Sequence, residues 1–312
     1  MNNPFNQITS VDFLDIGCSG VLDAKWSTLF PLLSYTGFDP NAEECERLNN
    51  QSHPYKTVRY LPYAIAGEDG NQTMYKTASI YCYSLLRPNQ EWVSRFSFGD
   101  LFRETGTESV YCTTLNTLAQ EQNLKADILK IDTQGLELPI LKSGEQVLKD
   151  VFCIETETGF VEDYIGETTY AQIDGFLRSQ GFTMVDINVH KVTRNNLMSR
   201  YGKHQPIWCQ AVWLFDFVAN KRESTREQAL KFLRICQSLE YFDYGFELAC
   251  YFNKMNLIED EVIQYLKKPE NWLKDNLLPN QIGNKLLGWL PEKVNRRLLQ
   301  KLQEIADYGH TC

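Results

Sequence analysis

Residues 11–20 read Val-Asp-Phe-Leu-Asp-Ile-Gly-Cys-Ser-Gly, and this stretch decides the predicted fold. Its mostly apolar first four residues predict a buried strand, which ends at the acidic Asp15. Gly17 and Gly20 follow in Gly-x-x-Gly spacing, before helix-compatible residues 21–33. Glycines at such a turn let the backbone approach a ligand closely. Because the three-glycine dinucleotide motif and the Gly-Lys-Ser/Thr phosphate loop are both missing, the turn predicts a nucleotide-type ligand without a pyrophosphate.

Composition and charge narrow the class of protein. The 312 residues are 43% apolar and 12% aromatic, enough for one large domain or two smaller ones. The net charge of -9 and the lack of a dense basic run argue against a nucleic-acid partner. No stretch of roughly 20 apolar residues predicts a membrane span, and the first residues do not resemble a signal peptide. A cytoplasmic location is therefore expected.

The cysteines and histidines do not form recognisable metal or redox motifs. The nine cysteines are dispersed without a Cys-x-x-Cys pair, which predicts reduced thiols, several of them acting as small buried hydrophobic residues. The four histidines do not have metal-ligand spacing, so no metal site is predicted.

Strand and helix patterns alternate along the first two thirds of the chain. This alternation predicts an α/β sheet that binds ligands at the carboxyl ends of its strands. The last strand, 209–218, is strongly apolar and is expected to pair antiparallel with its predecessor. The predicted strands after the first are 34–38, 57–65, 72–75, 110–113, 126–132, 151–154, 183–189 and 209–218, and the predicted helices are one capped by Asn41, then 115–121, 136–149 and 169–180.

Three features of this region have two interpretations each. Asp39 lies about twenty residues beyond the glycine turn, where doubly wound folds place the carboxylate that binds ribose, but it also suits a helix cap. The aromatic-rich residues 76–108 either wall a substrate pocket or form an amphipathic helix through Trp92, Phe96 and Leu101. The basic residues 190–206 either hold an anionic substrate or form a solvated hairpin tip.

Beyond residue 220 the pattern becomes helical. Helices are predicted over 227–239, 241–255, 259–266 and 292–306, with no strand signal between them. The sequence therefore predicts a sheet domain over 1–220 and an all-helical extension over 221–312. Three roles stay open for the extension, namely covering the sheet, forming a homodimer or docking a partner enzyme.

Together, several motifs resemble the FkbM family of S-adenosylmethionine-dependent methyltransferases. The resemblance covers roughly residues 11–217, and its most specific part is Lys-Ile-Asp-Thr-Gln-Gly-Leu-Glu at 130–137. The other matching motifs are Asp-Ile-Gly-Cys-Ser-Gly at 15–20, Gly-Phe-Asp-Pro-Asn at 37–41, Ala-Ile-Ala-Gly at 64–67, Leu-Asn-Thr-Leu at 115–118 and Leu-Lys-Ser-Gly at 141–144.

The resemblance implies a Rossmann-like class I methyltransferase sheet, mostly parallel with an antiparallel last strand, and S-adenosylmethionine as cofactor. The glycine turn would pass under the methionine part, Asp15 would accept from its amino group or from a water, and Asp39 would hold the ribose. Asp132 would face the transferable methyl group and act as base. The implied cofactor-binding residues are Asp15, Gly17, Cys18, Ser19, Gly20, Asp39, Pro40 and Ala64, the last beside the adenine, and the catalytic candidates are Asp132, Glu137 and Glu155.

Glu137 and Glu155 would orient the acceptor, but they also suit a helix-start charge and an exposed acid at a strand end, respectively. Gln134 departs from the Glu often found in the family, which keeps hydrogen bonding but removes a charge. We therefore expect an O-methyltransferase that acts on the hydroxyl of a small or glycan-like acceptor. The alternative is a catalytically silent module that docks a partner in a biosynthetic assembly.

Overall fold

The computed structural model describes residues 3–18 and 22–273. No helix within these residues is both long enough and apolar enough to cross a membrane. The strands are β1 (Val11–Ile16), β2 (Leu33–Phe38), β3 (Thr57–Leu61), β4 (Ala64–Ala66), β5 (Gly70–Thr77), β6 (Glu104–Thr114), β7 (Ile128–Ile131), β8 (Cys153–Gly159), β9 (Phe182–Val192) and β10 (Gln205–Phe215). The α-helices are α1 (Ala42–Asn49), α2 (Gln90–Val93), α3 (Leu115–Glu121), α4 (Glu137–Ser143), α5 (Glu145–Leu148), α6 (Tyr170–Ser179), α7 (Arg226–Ser238), α8 (Phe242–Lys254), α9 (Asp260–Leu266) and α10 (Pro269–Leu273).

The main sheet has seven strands in the order β3-β2-β1-β7-β8-β10-β9. The first five run parallel, and β10 is antiparallel to both of its neighbours. This confirms the class I methyltransferase sheet, including the antiparallel pairing of the last strand. The strand order reverses between β1 and β7, which is where open α/β sheets bind their ligands.

The segment after β1 differs from its predicted helix. Residues Ala24–Leu32 form a 3-10 helix, and the chain is already extended at Leu33. Pro31 lies inside this helix and has no N–H to donate, so a regular α-helix cannot form through it. The predicted cap of the next helix is confirmed, because the Asn41 side chain accepts a hydrogen bond from the Glu44 N–H.

The single strand predicted over 57–65 is wrong. It divides into β3, which joins the main sheet, and β4, which belongs to a second sheet of order β4-β6-β5. Pro62 separates the two strands and has no N–H for a ladder hydrogen bond. The β6 strand is also much longer than the predicted 110–113.

The helix predicted over 136–149 is divided at Gly144 into α4 and α5. A side chain at Gly144 would bring its Cβ within 2.5 Å of Leu115 Cδ2, so this glycine permits the close packing of α3. The helices predicted over 115–121 and 169–180 are confirmed as α3 and α6.

The aromatic-rich residues 76–108 do not form the amphipathic helix that was one of their two interpretations. Since β5 ends at Thr77 and β6 begins at Glu104, we call residues 78–103 between them the aromatic insertion. Trp92 belongs to the four-residue α2, Phe96 follows that helix, and Leu101 lies in a separate 3-10 helix. The insertion instead has a small core of its own, made by Cys82, Val93, Phe102 and Tyr164, with Leu86, Trp92 and Phe98 packed around it. Tyr164 comes from the loop after β8, so the insertion packs against the carboxyl edge of the main sheet.

Helices α7, α8 and α9 confirm the predictions for 227–239, 241–255 and 259–266, whereas 292–306 lies outside the described residues. The sheet-facing packing is clear for α7, because Phe232 stacks on Phe152 with ring centroids 5.3 Å apart and Lys231 pairs with Asp127 at 2.8 Å. Covering the sheet is therefore one role of the helical region. The division of the chain at residue 220 stays a prediction.

Candidate active site

The turn after β1 lies directly against the end of β7. Gly17 has φ +78°, and a Cβ on it would stand 1.9 Å from the Asp132 carbonyl oxygen. The N–H groups of Gly17 and Cys18 both donate to the Phe38 carbonyl at the end of β2. Only glycine fits this position, because any side chain would collide with the backbone of the neighbouring turn.

Asp15 is a buried member of an ion pair. Its Oδ1 accepts from Lys130 Nζ at 2.9 Å and its Oδ2 from the Tyr35 hydroxyl at 2.9 Å. Burial lowers the pKa of Lys130, but the carboxylates of Asp15 and Asp132 outweigh this effect and raise it above its ordinary value. Both Asp15 oxygens therefore have partners within the protein, and its predicted contact with a cofactor amino group stays a prediction.

Glu155 is also buried and paired, so the interpretation as an exposed acid at a strand end is wrong. Its Oε1 accepts from Lys25 Nζ and its Oε2 from Trp26 Nε1, both at 2.9 Å. Asp15, Lys130 and Glu155 are in register across β1, β7 and β8. We call these three residues the paired row.

A second polar group lies one step further toward the carboxyl ends of the strands, on the same face of the sheet. Gln134 Nε2 donates to Asp132 Oδ1 at 3.0 Å and lies 3.4 Å from Glu157 Oε1. Neither of these acids forms an ion pair with a described residue. We call Asp132, Gln134 and Glu157 the unpaired cluster.

Gln134 is held in place from several sides. Its backbone has φ +58°, a left-handed conformation that side-chain-bearing residues rarely adopt. The Tyr164 hydroxyl donates to its side-chain oxygen at 3.1 Å, and the Ser84 hydroxyl donates to its backbone carbonyl at 2.7 Å. Since Oε1 is occupied as an acceptor, the Nε2 end of the amide is directed toward the two acids.

The two acids of the unpaired cluster retain protons more strongly than ordinary carboxyl groups. Burial raises the pKa of Asp132, and the opposing effects of Lys130 and Gln134 do not cancel this shift. Burial and the nearby negative charge of Asp132 raise the pKa of Glu157 to about 8. Carboxyl groups with raised pKa values are suited to accept and release a proton during a reaction.

Glu137 has a structural role in the turn that follows β7. Its Oε1 accepts from the Thr133 N–H, the Thr133 hydroxyl and the Gly135 N–H, at 3.0, 3.1 and 3.2 Å. Its carboxyl group is buried, which raises its pKa to about 7. These contacts fix the turn that carries Gln134, and the predicted role of Glu137 in orienting an acceptor stays a prediction.

Asp39 is placed at the end of β2 and leaves one oxygen available. Its Oδ1 accepts from the Asn41 N–H at 2.7 Å, whereas its Oδ2 has no hydrogen bond to a described residue. Asn41, and not Asp39, caps α1. Burial raises the pKa of Asp39.

The remaining predicted cofactor residues have diverse surroundings. The Cys18 side chain is fully buried beside Gly37, where a Cβ would approach the Cys18 sulfur to 2.7 Å. Pro40 is exposed, and Ala64 is buried in β4. Ser19 and Gly20 lie outside the described residues. In the described part of the chain, no group of three or more His, Cys, Asp or Glu side chains could hold a metal ion.

A family model for the methyltransferase FkbM domain matches residues 24–184. The chain belongs to the FkbM methyltransferase family. The matched region contains β2 to α6 and includes the whole unpaired cluster. A comparison with curated protein sequences found no match.

The solved structures to which the chain is similar include methyltransferases and an uncharacterised protein. Magnesium protoporphyrin IX methyltransferase from Synechocystis, solved with bound S-adenosylmethionine, is 8% identical with a TM-score of 0.32, and the match covers 68% of this chain and 73% of that chain. The N-methyltransferase NodS from Bradyrhizobium japonicum is 10% identical with a TM-score of 0.30, covering 68% and 89%. An uncharacterised protein from Listeria monocytogenes is 10% identical with a TM-score of 0.34, covering 88% and 96%.

In this FkbM-family chain, the sequence places both Glu155 and Glu157 at the end of a strand, but only Glu155 is among the predicted catalytic residues. The two residues lie on the same face of β8, so strand periodicity does not distinguish them. The difference comes from Lys25, which pairs with Glu155 from 130 positions earlier in the chain. No sequence signal pointed to Tyr164, whose place beside Gln134 depends on the loop after β8.

Proposed function

We propose that this FkbM-family protein is an S-adenosylmethionine-dependent O-methyltransferase acting on a hydroxyl of a small-molecule or glycan acceptor. The observation that carries the proposal is the unpaired cluster. Two carboxyl groups with raised pKa contact one amide: Asp132 follows β7, beside the reversal of the strand order, and Glu157 lies in the neighbouring β8. Such groups suit the removal of a hydroxyl proton.

The residues around the β1–β7 reversal fit the cofactor. Asp39 has a free carboxylate oxygen at the end of β2, where it would accept a hydrogen bond from a ribose hydroxyl. The Gly17 turn allows a close approach of backbone, and Cys18, Pro40 and Ala64 are proposed to line the same site. Ser19 and Gly20 are proposed to continue it. When bound, S-adenosylmethionine supplies an electrophilic methyl group.

The chain's own contribution is to position the acceptor and to move one proton. We propose that the hydroxyl oxygen is held beside Asp132, whose carboxylate oxygen would take the hydroxyl proton as the methyl group passes from the cofactor sulfur to that oxygen, with S-adenosylhomocysteine as the leaving group. Gln134 fixes the carboxyl group of Asp132 through its amide. Glu157 shares that amide, and its pKa of about 8 suits it to exchange a proton beside Asp132. Positioning of this kind supplies much of the rate of a transfer reaction.

Calorimetry with S-adenosylhomocysteine tests the cofactor site. The native chain should bind this product, and Asp39→Ala should bind it at least about tenfold more weakly, because a charge-assisted hydrogen bond is lost. Asn41→Ala, which removes the α1 cap but not the carboxylate, is the matched control. The assignment fails if the native chain does not bind or if Asp39→Ala binds equally well.

Mass spectrometry of acceptor mixtures tests the reaction. Incubation with S-adenosylmethionine and panels of glycans and small hydroxylated metabolites should give products heavier by one methylene group. Cofactor binding without transfer to any panel would instead favour the catalytically silent alternative. In that case a chain ending near residue 267, which keeps α7 on the main sheet, should lose association with its partner, as measured by size-exclusion chromatography.

A further inference from the structure

The β9–β10 hairpin extends past the end of the main sheet. The last residue of β8, Gly159, pairs with Trp208, and the hairpin continues beyond that point toward its turn. Because the parallel strands end at this edge, the hairpin projects from the same edge that carries Asp132 and Glu157. We call residues 193–204, which join the two strands, the hairpin tip.

Three large apolar side chains are exposed at the hairpin tip. Leu197 is 92% exposed, Tyr201 82% and Met198 68%. Local hydrogen bonds give the tip a defined shape, since Met198 N–H donates to Asn196 Oδ1 and Tyr201 N–H donates to the Met198 carbonyl. Apolar side chains so fully exposed within five residues mark a contact surface more often than a solvated turn.

The hairpin is also basic within an acidic protein. No Asp or Glu occurs between Asp186 and Asp216, whereas the whole chain has a net charge of -9. Lys191, Arg200 and Lys203 are exposed and form no salt bridge with a described residue. A partner of this hairpin must therefore accept positive charge as well as apolar side chains.

The base of the hairpin tip is braced by the aromatic insertion. The Ser97 N–H donates to the Thr193 carbonyl, and the Asn195 N–H donates to the Arg95 carbonyl. The Arg194 guanidinium lies over the Phe96 ring at 4.2 Å. These contacts hold the tip in a fixed direction relative to the site.

We propose that the hairpin tip docks onto an anionic lipid surface. Leu197, Met198 and Tyr201 stand highly exposed at the end of a projecting hairpin, so a deformable interface suits them better than a rigid protein surface. Tyrosine prefers the boundary between water and acyl chains, and flanking lysine and arginine side chains are attracted to anionic headgroups. Docking through the tip would direct the Asp132 edge toward the membrane. The docking itself does not rest on the proposed methyl transfer.

Co-sedimentation of the full chain with lipid vesicles tests this proposal. The chain should bind vesicles of phosphatidylcholine mixed with phosphatidylglycerol, bind vesicles of phosphatidylcholine alone much more weakly, and dissociate as salt is added. The double variant Arg200→Glu/Lys203→Glu and the triple variant Leu197→Ser/Met198→Ser/Tyr201→Ser should each weaken binding at least about tenfold. All of these positions are exposed, so circular dichroism should show unchanged folding.

The matched control is Lys254→Glu/Met255→Ser, which alters an exposed cation and an exposed apolar side chain at the end of α8. This variant should bind vesicles like the native chain. The proposal is overturned if the native chain does not bind anionic vesicles, or if the tip variants bind as well as the control. Capture by polyglutamate without vesicle binding would also overturn it and would assign the tip to an acidic protein surface.

Discussion

The paired row and the unpaired cluster lie two residues apart on the same face of the same strands, yet they have opposite electrostatics. In the paired row, Lys130 and Lys25 provide a cation for each carboxylate, and each of the four carboxylate oxygens has a partner. In the unpaired cluster, two acids share one neutral amide. Buried charges that are paired hold a structure together, whereas half-buried acids without an ion pair have shifted pKa values and suit proton transfer.

The largest effect on turnover is expected at Asp132. Asp132→Asn should lower turnover by about a thousandfold, since a positioned base contributes roughly 10²- to 10⁴-fold. The measurement is kcat with the acceptor found in the mass-spectrometric screen. Affinity for S-adenosylhomocysteine should remain within about twofold of native, because the proposed cofactor contacts are elsewhere. Full activity in this variant would refute the role of Asp132 as base.

Breaking the paired row should affect stability first. Lys130→Met removes the cation between two buried carboxylates and should destabilise the fold by about 3 kcal/mol, since breaking a buried pair leaves an uncompensated charge. The expected fall in Tm is about 6 °C or more. Lys125→Met, at an exposed position just before β7, is the control and should change Tm little. Equal Tm values for the two variants would show that the paired row does not stabilise the protein.

Glu157→Gln should behave in the opposite way to Lys130→Met. Removing a half-buried acid that has no ion pair should leave Tm unchanged or raise it. Turnover should fall by about tenfold, because a group that can exchange a proton beside Asp132 is lost. The acid limb of the pH–rate profile should move to lower pH. A large loss of Tm would mean that Glu157 belongs with the structural acids.

Gln134→Glu would add a third acid to the unpaired cluster, beside Asp132 and Glu157. Neighbouring carboxyl groups raise each other's pKa, so the acid limb of the pH–rate profile should move upward by about one pH unit. Gln134→Gly, which accepts φ +58° without strain but lacks the amide, is the control. Gln134→Gly should lower turnover without moving the acid limb of the pH–rate profile to higher pH. If the protein is a catalytically silent module, none of these variants would show measurable methyl transfer at any pH.

The smallest predicted effect is on the pH dependence of stability. The pKa of Glu157 is raised from 4.5 to about 8, so its contribution to stability is present below the lower value and is lost as the pH rises through the higher one. The Tm of the native chain should fall between about pH 4.5 and pH 8, and Glu157→Gln should reduce this fall. Thermal denaturation followed by circular dichroism measures both slopes. Identical slopes would show that Glu157 titrates normally.

Much of the sheet could be predicted because its strands are apolar and end at acidic or glycine residues. The second sheet could not, because β5 and β6 are polar strands whose pairing depends on contacts between distant residues. Pro62 was a local signal for the end of β3 that the apolar pattern concealed.

The candidate site was predicted by position better than by role. Asp132 was identified from its place at a strand end. The distinction between Glu155 and Glu157 depends on Lys25, and the function of Gln134 depends on its left-handed backbone, neither of which periodicity reveals. Electrostatic roles of this kind follow from which charges meet in the folded state.

The close contact between Gly17 and the Asp132 carbonyl also limits how the site can open. Since the backbones of two turns lie against each other, they cannot separate or slide without losing the hydrogen bonds that end β1 and β7. The turns after β1 and β7 are therefore expected to move together as one rigid unit. Entry and exit of ligands then depend on the aromatic insertion and the loop after β8, which border the unpaired cluster at Gln134. Substitutions in these two segments should change the rate of product release.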